Sequence, residues 1–506
     1  MKNCDLNKAS HLLAVADISC DINGPLEFMD RATTIDEPFF TVQGDGCDFI
    51  VCSVDNLPAE LPLDSSLHFS KCLTPLISDL SQGVPNNILK RAVIVDKGIL
   101  TDNHKHLSLK SPKKNIVMFG SGRVAAPFVD YFTSDYNITI ASNCLKQAEE
   151  LSKGKSHCQV VLLDIDKTDL HQLISANDIA VSFLPAFLHP KIAKICVETG
   201  TDMVTASYKS DEMSSFNDAA IASNITILNE IGLDPGIDHL LAMEFIDSLE
   251  QGEKIESFES NCGGLPDPKD SNNYLGYRFS WSPLGVLQAS MNPAKYIQDQ
   301  KTFNIKAGGI LDVARKVEDF MGFNFEVIPN RDSTKYIDVY GLNHDLKGMF
   351  RGTLRYSGFS EVMKKFRDAG LLEDVHFTGK WNDYIKKYDI PSQLIQYFGL
   401  NEGMIHGSVR NAFCDKLLAT ASYEDHQRDM VCLYHKFVTN KRKVFISMVE
   451  YGDSQYSAMA RTVGIPCAIA TKVVLEGSVK KGSIRPVTKD LYVPILSELR
   501  AKGIQM

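Results

Sequence analysis

The stretch Lys114-Asn-Ile-Val-Met-Phe-Gly-Ser-Gly-Arg-Val-Ala125 constrains this chain more than any other. Asn115 to Phe119 are mostly apolar without polar alternation, as a strand buried on both faces of a parallel sheet requires. Gly120 permits a tight turn and Gly122 lets backbone approach a pyrophosphate. Ala125 stands where a third glycine would let the next helix pack closely. Free N–H groups at that helix start would face a diphosphate, aided by the helix dipole. A lone G-x-G-x-x-A is a weak signal, but here it opens a regular series. Strands are expected at 137–141, 159–164, 178–183, 202–206 and 225–229, with helices at 145–153, 189–199 and 211–222. The alternation predicts an α/β protein with a Rossmann-type, doubly wound parallel sheet.

At 506 residues the chain has room for two to four domains. A 44% hydrophobic and 23% charged composition is that of a globular protein. No uninterrupted apolar run reaches the ~18–20 residues that span a bilayer, so no membrane partner is expected. Met1 to Ser10 is polar, with neither an apolar core nor an Arg/Ser-rich leader, and predicts no export or import signal. A net charge of −10 without a basic stripe argues against nucleic acid. The 12 cysteines form no C-x-x-C pair and are expected as free thiols in a reducing compartment. No cluster has metal-ligand spacing, so no metal is expected.

Residues 84–113 mark a junction, and the basic, aperiodic 105–114 segment reads as a linker. Before it lie a strand at 48–54 and a helix near 64–81. After Glu230 the pattern changes to loops rich in glycine, proline and aromatics, at 232–239, 262–266 and 273–281. Helical segments are expected at 360–369 and 381–387, a strand at 443–449, and a small-residue helix at 458–475. Arg331 and Arg355 sit in loop-like settings, where a guanidinium can grip a carboxylate through two hydrogen bonds.

Nine stretches in order carry a family resemblance: GSGRVAAP (120–127), SFLPAFLHP (182–190), VTASY (204–208), NEIGLDPGIDH (229–239), CGGLPDP (262–268), YRFSWSPLGVL (277–287), PNRDSTKY (329–336), RGTLRYSGF (351–359) and GIPCAIATK (464–472). Together, over about 115–506, they resemble the saccharopine dehydrogenase family. VADISCDINGPLEF (15–28) and CSVDNLPAELP (52–62) resemble the C-terminal end of lysine–2-oxoglutarate reductase. In animals and plants that domain precedes saccharopine dehydrogenase in one bifunctional chain, the α-aminoadipic semialdehyde synthase.

The resemblance implies a domain plan. Residues 1–112 would be the reductase tail and linker, without reductase activity of their own, and 113–240 the Rossmann domain. Residues 241–359 and 421–455 would form an α/β substrate-binding and dimerisation domain, and 360–420 a small helical insertion. Residues 456–506 would be C-terminal helices packing back on the Rossmann domain. The implied reaction takes saccharopine, NAD(P)⁺ and water to glutamate and 2-aminoadipate 6-semialdehyde. A homodimer or higher homo-oligomer is implied, in the mitochondrial matrix if the chain belongs to an animal-type bifunctional enzyme and otherwise in the cytoplasm.

Residue by residue, the motifs assign substrate contacts to Ser207, Tyr208, Asp234, Arg331, Thr353, Leu354 and Arg355. Acid/base candidates are Tyr208, Asp234 and His239, and the sequence does not choose among them. Cys262 reads as a buried turn cysteine, not a nucleophile. Gly120, Ser121, Gly122, Arg123, Val124, Asn143, Gln147, Asp164, Leu184, Pro185 and Ala206 match cofactor-lining positions. Asn143 stands where NAD-binding folds place an acid for the ribose and NADP-dependent relatives an arginine. NAD is expected with a modest preference, NADP being possible. Ala186 departs from the tyrosine usual after the proline. The rival readings are a related imine-reducing dehydrogenase of the carboxynorspermidine synthase kind and a non-catalytic assembly module.

Overall fold

The structure, a computed structural model, describes residues 12–22, 26–42, 48–84, 86–96, 98–101, 103–104, 113–317, 320–477 and 479–506. The leader reading of Met1 to Ser10 and most of the expected linker, 105–112, lie outside these residues. The chain divides into two units, Met1–Ser111 and Pro112–Met506.

In the smaller unit, strand Phe49–Cys52 pairs in parallel with Ala14–Ala16 and antiparallel with Phe39–Val42. Met29, Phe49 and Val51 form its small core. The helix expected near 64–81 spans Pro62–Ser81, with proline in its first turn.

In the larger unit the glycine turn follows β1 (Lys114–Phe119), whose last four residues are buried. Then come α1 (Ala126–Tyr131), β2 (Tyr136–Ser142), α2 (Leu145–Ser152), β3 (Cys158–Leu162) and α3 (Leu170–Ser175). β4 (Ile179–Ser182), α4 (His189–Thr199), β5 (Asp202–Thr205), α5 (Asp211–Ser215), α6 (Asn217–Ala222) and β6 (Thr226–Leu228) complete the series. The helix expected over 211–222 breaks at Phe216. Ser214 and Ser215 hydroxyls bond back to the carbonyls of Ser210 and Glu212 (2.9 and 2.7 Å) and compete with the helical ladder.

Strand order is β3-β2-β1-β4-β5-β6, all parallel, the doubly wound arrangement. A seventh strand (Gly482–Ile484) joins in parallel beside β6 from near the C-terminus. It is only three residues long, and a Gly-Ser-Ile run after lysines gives no periodic signal.

The chain leaves this sheet through α7 (Ile237–Asp247) and builds a mixed eight-stranded sheet. Its central strands are β7 (Ile255–Pro266) and, after the peripheral β8 (Ala294–Gln298), β9 (Lys301–Ile305) and β10 (Arg315–Lys316), β11 (Phe325–Pro329) and β12 (Gly348–Tyr356). β7 and β12 pair in parallel, whereas β11 is antiparallel to β12. Cys262 lies on β7, not in a turn, buried opposite Thr353. The 360–420 region is not purely helical. Besides its helices it holds a two-stranded sheet, β13 (His376–Lys380) with β14 (Met404–Ser408). These five-residue strands each contain a glycine and lie 24 residues apart, so no hairpin signal links them.

The mixed sheet ends in β15 (Asp429–Thr439), antiparallel to β7, and β16 (Lys443–Tyr451). The next helix, Ala458–Leu475, is long and apolar enough by length and composition to cross a membrane, although Arg461 and Lys472 interrupt its apolar run. It is a core helix here. Gly464 packs against the glycine turn, where an added Cβ would stand 2.7 Å from the Val124 carbonyl oxygen. Its apolar residues join the cluster of Ile116, Phe128 and Leu228.

Candidate active site

The cofactor-lining candidates gather at the C-terminal edge of the Rossmann sheet. Gly120 has φ 99° and packs against the Phe183 carbonyl, so the turn depends on glycine there. Gly122 differs, because a Cβ added to it would meet nothing within 4 Å. That open cradle, at the turn between β1 and α1, fits a pyrophosphate group. Ser121 is buried, its hydroxyl 2.6 Å from that of Ser142 at the end of β2. Arg123 donates to the Phe279 carbonyl (2.7 Å), tying the turn to the loop after β7. Leu184 and Pro185 follow β4, and Ala206 follows β5 with its Cβ beside Gly232. Asn143, just past β2, and Gln147 on α2 are exposed. Asp164, after the edge strand β3, is engaged locally by Lys167 (2.9 Å) and the Asp166 N–H (3.1 Å).

The second wall comes from β12. Alternation along a strand puts Arg351, Thr353 and Arg355 on one face, toward the Rossmann sheet. Leu354 points the other way into the core of the mixed sheet, so only its backbone is available to a ligand. Asp234 and Asp238, from the loop and first turn of α7, both bind the buried Arg351 guanidinium, Asp234 at 2.6 Å. Tyr208 donates to Asp234 (2.7 Å) and accepts from Asn330 (3.0 Å), joining β5, α7 and β11 at one hydroxyl. Arg331 lies over the Tyr208 ring, 4.8 Å from its centroid, on left-handed backbone (φ 55°).

Electrostatics separate the two aspartates. Burial, with the neighbouring Asp238 charge, raises the Asp234 carboxyl above its usual range despite Arg351. Asp238 is held below its range: burial opposes this, but His239, Arg351 and the Gly236 N–H outweigh it. Desolvation and the Asp234 charge push the Tyr208 phenol well up, so it stays protonated. Two acids on one guanidinium whose affinities diverge give one permanent anion and one group able to take a proton.

His239 borders this cluster, its Nδ1 3.7 Å from Asp238. It is fully buried, Nδ1 2.7 Å from the Tyr340 hydroxyl and Nε2 2.9 Å from Glu230. Both nitrogens are used inside the frame; Tyr208, Asp234 and His239 remain the acid/base candidates. Glu230, another buried acid with φ 60°, also accepts from Arg485 Nε (2.8 Å) and the Lys209 N–H (2.8 Å). Sequence reasoning missed Arg351, Glu230, Asn330 and Tyr340. Arg351 was findable, because it lies four residues before Arg355 on one strand face. Glu230 carries no such signal, because besides the nearby His239 its partners Lys209, Tyr336 and Arg485 come from separate segments.

Arg355 is 7% exposed and stacks on Tyr277 and Phe359, with ring centroids at 4.6 and 5.1 Å. Its Nη1 donates to the Leu354 carbonyl and its Nε has no partner. Among the described residues it meets no carboxylate. Glu326, opposite it on β11, is taken by the Gly358 and Ser360 N–H groups (2.9 and 2.6 Å).

The Saccharopine dehydrogenase NADP binding domain matches residues 116–228, and the Saccharopine dehydrogenase C-terminal domain matches 232–504. The chain belongs to the saccharopine dehydrogenase family. The saccharopine dehydrogenase [NADP(+), L-glutamate-forming] of Saccharomyces cerevisiae is 37% identical, over 77% of this chain and 97% of the yeast one. The solved apo structure of a histidine-tagged yeast saccharopine dehydrogenase (L-Glu forming) matches with TM-score 0.68 at 36% identity, covering 77% of this chain and 98% of that one. The mouse mitochondrial alpha-aminoadipic semialdehyde synthase is 35% identical over 97% of this chain, which spans 61% of the mouse protein's length. The Alanine dehydrogenase/PNT, C-terminal domain matches residues 11–108, which fits the reductase tail indicated by the first two motifs.

Proposed function

We propose that this family member oxidises L-saccharopine with a nicotinamide dinucleotide and water to L-glutamate and 2-aminoadipate 6-semialdehyde. The observation that carries the reading is Arg355. A nearly buried cation without a protein anion costs free energy unless a ligand supplies the charge. Saccharopine has three carboxylates, and Arg331, free of any ion pair among the described residues, offers a second anchor.

A bound nicotinamide would accept the hydride that leaves the lysine-derived carbon bearing the secondary amine. The Gly120–Gly122 turn would seat the dinucleotide's pyrophosphate, while Arg331 and Arg355 hold substrate carboxylates. Tyr208 would pass a proton through its hydroxyl to Asp234, whose raised affinity suits it to receive one. Asp238 stays charged and keeps Arg351 neutralised. Asn143 carries no carboxylate to repel a 2′-phosphate and no arginine charge to hold one, and Lys146 on α2 is exposed nearby, which supports use of both NAD⁺ and NADP⁺. The mitochondrial name of the mouse relative supports a mitochondrial location.

The test is formation of reduced nicotinamide from saccharopine by purified protein, with each cofactor in turn. Catalysis with kcat/KM for the two cofactors within roughly tenfold is expected, ~1.4 kcal/mol in transition-state terms. No turnover by folded protein with either one would refute the proposal.

A further inference from the structure

We propose that His189, buried behind the crevice, is a positioning residue that aims the Ser207 hydroxyl at a carboxylate of the substrate; this rests on the saccharopine reading. His189 opens α4 and is 1% exposed. Its ring lies between the ends of the two strands that flank the crevice. Nδ1 is 3.0 Å from Ser182 Oγ, the last residue of β4. Nε2 is 2.9 Å from Ser207 Oγ and 3.1 Å from Thr205 Oγ1, at and just past the end of β5. Thr205 Oγ1 also accepts the Ser207 N–H (3.3 Å), which fixes the backbone that carries the serine.

Burial pushes the His189 pKa down to about 4, so near neutral pH one ring nitrogen donates and the other accepts. The two tautomers have opposite consequences for Ser207. If Nδ1 carries the proton, Nε2 accepts from Ser207 or from Thr205, and when it takes the serine hydrogen the hydroxyl turns lone pairs toward an approaching carboxylate. If Nε2 carries it, the ring donates to Ser207 Oγ, and the serine hydrogen is free to donate outward. The second holds the Ser207 oxygen as an acceptor and so always leaves its hydrogen for an anionic substrate, with Ser182 donating to Nδ1. Tyr208, the next residue, is bonded to Asp234, so an error in the serine's placement reaches the acid/base pair through one peptide.

The test compares His189→Asn with His189→Gln in the full chain, each alone and combined with Ser207→Ala. The Asn amide reaches only toward Ser182, whereas the longer Gln can still present an N–H to Ser207. We expect His189→Asn to raise KM for saccharopine roughly tenfold, with cofactor Kd by fluorescence titration unchanged. His189→Gln should recover most of this loss. In the Ser207→Ala background neither substitution should add a further loss, because its target is gone. Equal effects of Asn and Gln, or losses that multiply with Ser207→Ala, would reduce His189 to packing and overturn the inference. A wild-type protein that does not oxidise saccharopine would overturn the function itself, and this inference with it.

Discussion

Arg355 and Glu230 are both buried charges, and their difference is instructive. Glu230 is surrounded by donors, and His239, Arg485 and the Lys209 N–H bring its pKa from 4.5 to about 2 against the cost of burial. A carboxylate depressed in the folded state stabilises the fold above its unfolded pKa, and the benefit disappears as pH falls through the folded value. Here that is about 3 kcal/mol, present above pH ~4.5 and lost toward pH 2. Denaturant titrations of wild type and Glu230→Gln should therefore differ by a constant amount above that window and converge below it. Arg355 lacks such partners among the described residues. Arg355→Met should raise the thermal midpoint of the unliganded protein, by about 1 kcal/mol in stability, while removing saccharopine turnover. Arg331→Lys and Arg355→Lys keep the charge but lose the planar fork. Each should lower kcat/KM by roughly 10- to 150-fold, the value of a charge-assisted hydrogen bond of ~1.5–3 kcal/mol, with cofactor affinity unchanged. Kinetics like those of wild type in both would remove the tri-acid anchors.

Among the elements, those with strong periodicity were legible in the sequence. α4 and the Ala458–Leu475 helix match their expected ranges, and the βαβ strands fall within a residue or two. Elements that depend on distant partners were not. The Gly482–Ile484 strand exists because β6 offers an open edge, and β13 and β14 exist because they meet each other. The site divides in the same way. The glycine turn and the motif arginines show in local sequence, whereas the Arg351–Asp234–Asp238 cluster and the Glu230 hub exist only once β12, α7 and the C-terminal segment converge. Gly122→Val tests the local kind. Its side chain would enter open space, so the thermal midpoint should hold while dinucleotide affinity is lost; unchanged affinity in titration would sink the cofactor assignment. Asp429→Ala tests the convergent kind. Its carboxylate accepts the Ala458 and Met459 N–H groups (2.6 and 3.0 Å), capping the core helix from β15. Losing it should cost about 1–2 kcal/mol in chemical denaturation.

At the scale of the whole molecule, buried polar groups join the Rossmann sheet, the mixed sheet and the C-terminal segment. Lys209, next to Tyr208, donates to the Ser483 carbonyl (2.5 Å), and Arg485 reaches Glu230, so the last parallel strand supports the loop that carries Tyr208. Every residue proposed to bind substrate or cofactor lies within Pro112–Met506. Both saccharopine dehydrogenase domain matches, 116–228 and 232–504, fall within that unit, and the yeast relative aligns over 77% of the chain whereas the mouse relative aligns over 97%. The smaller unit has its own core of Met29, Phe49 and Val51, and no residue of the proposed chemistry comes from it. A chain starting at residue 105 should therefore keep saccharopine oxidation, with kcat and KM close to those of the full chain. The measurement is steady-state kinetics on both chains, with circular dichroism to confirm that the shorter one is folded. If the folded deletion lost most of its kcat, the smaller unit would have to complete the active site or the assembly that forms it. Placing the chemistry wholly in the larger unit would then be wrong.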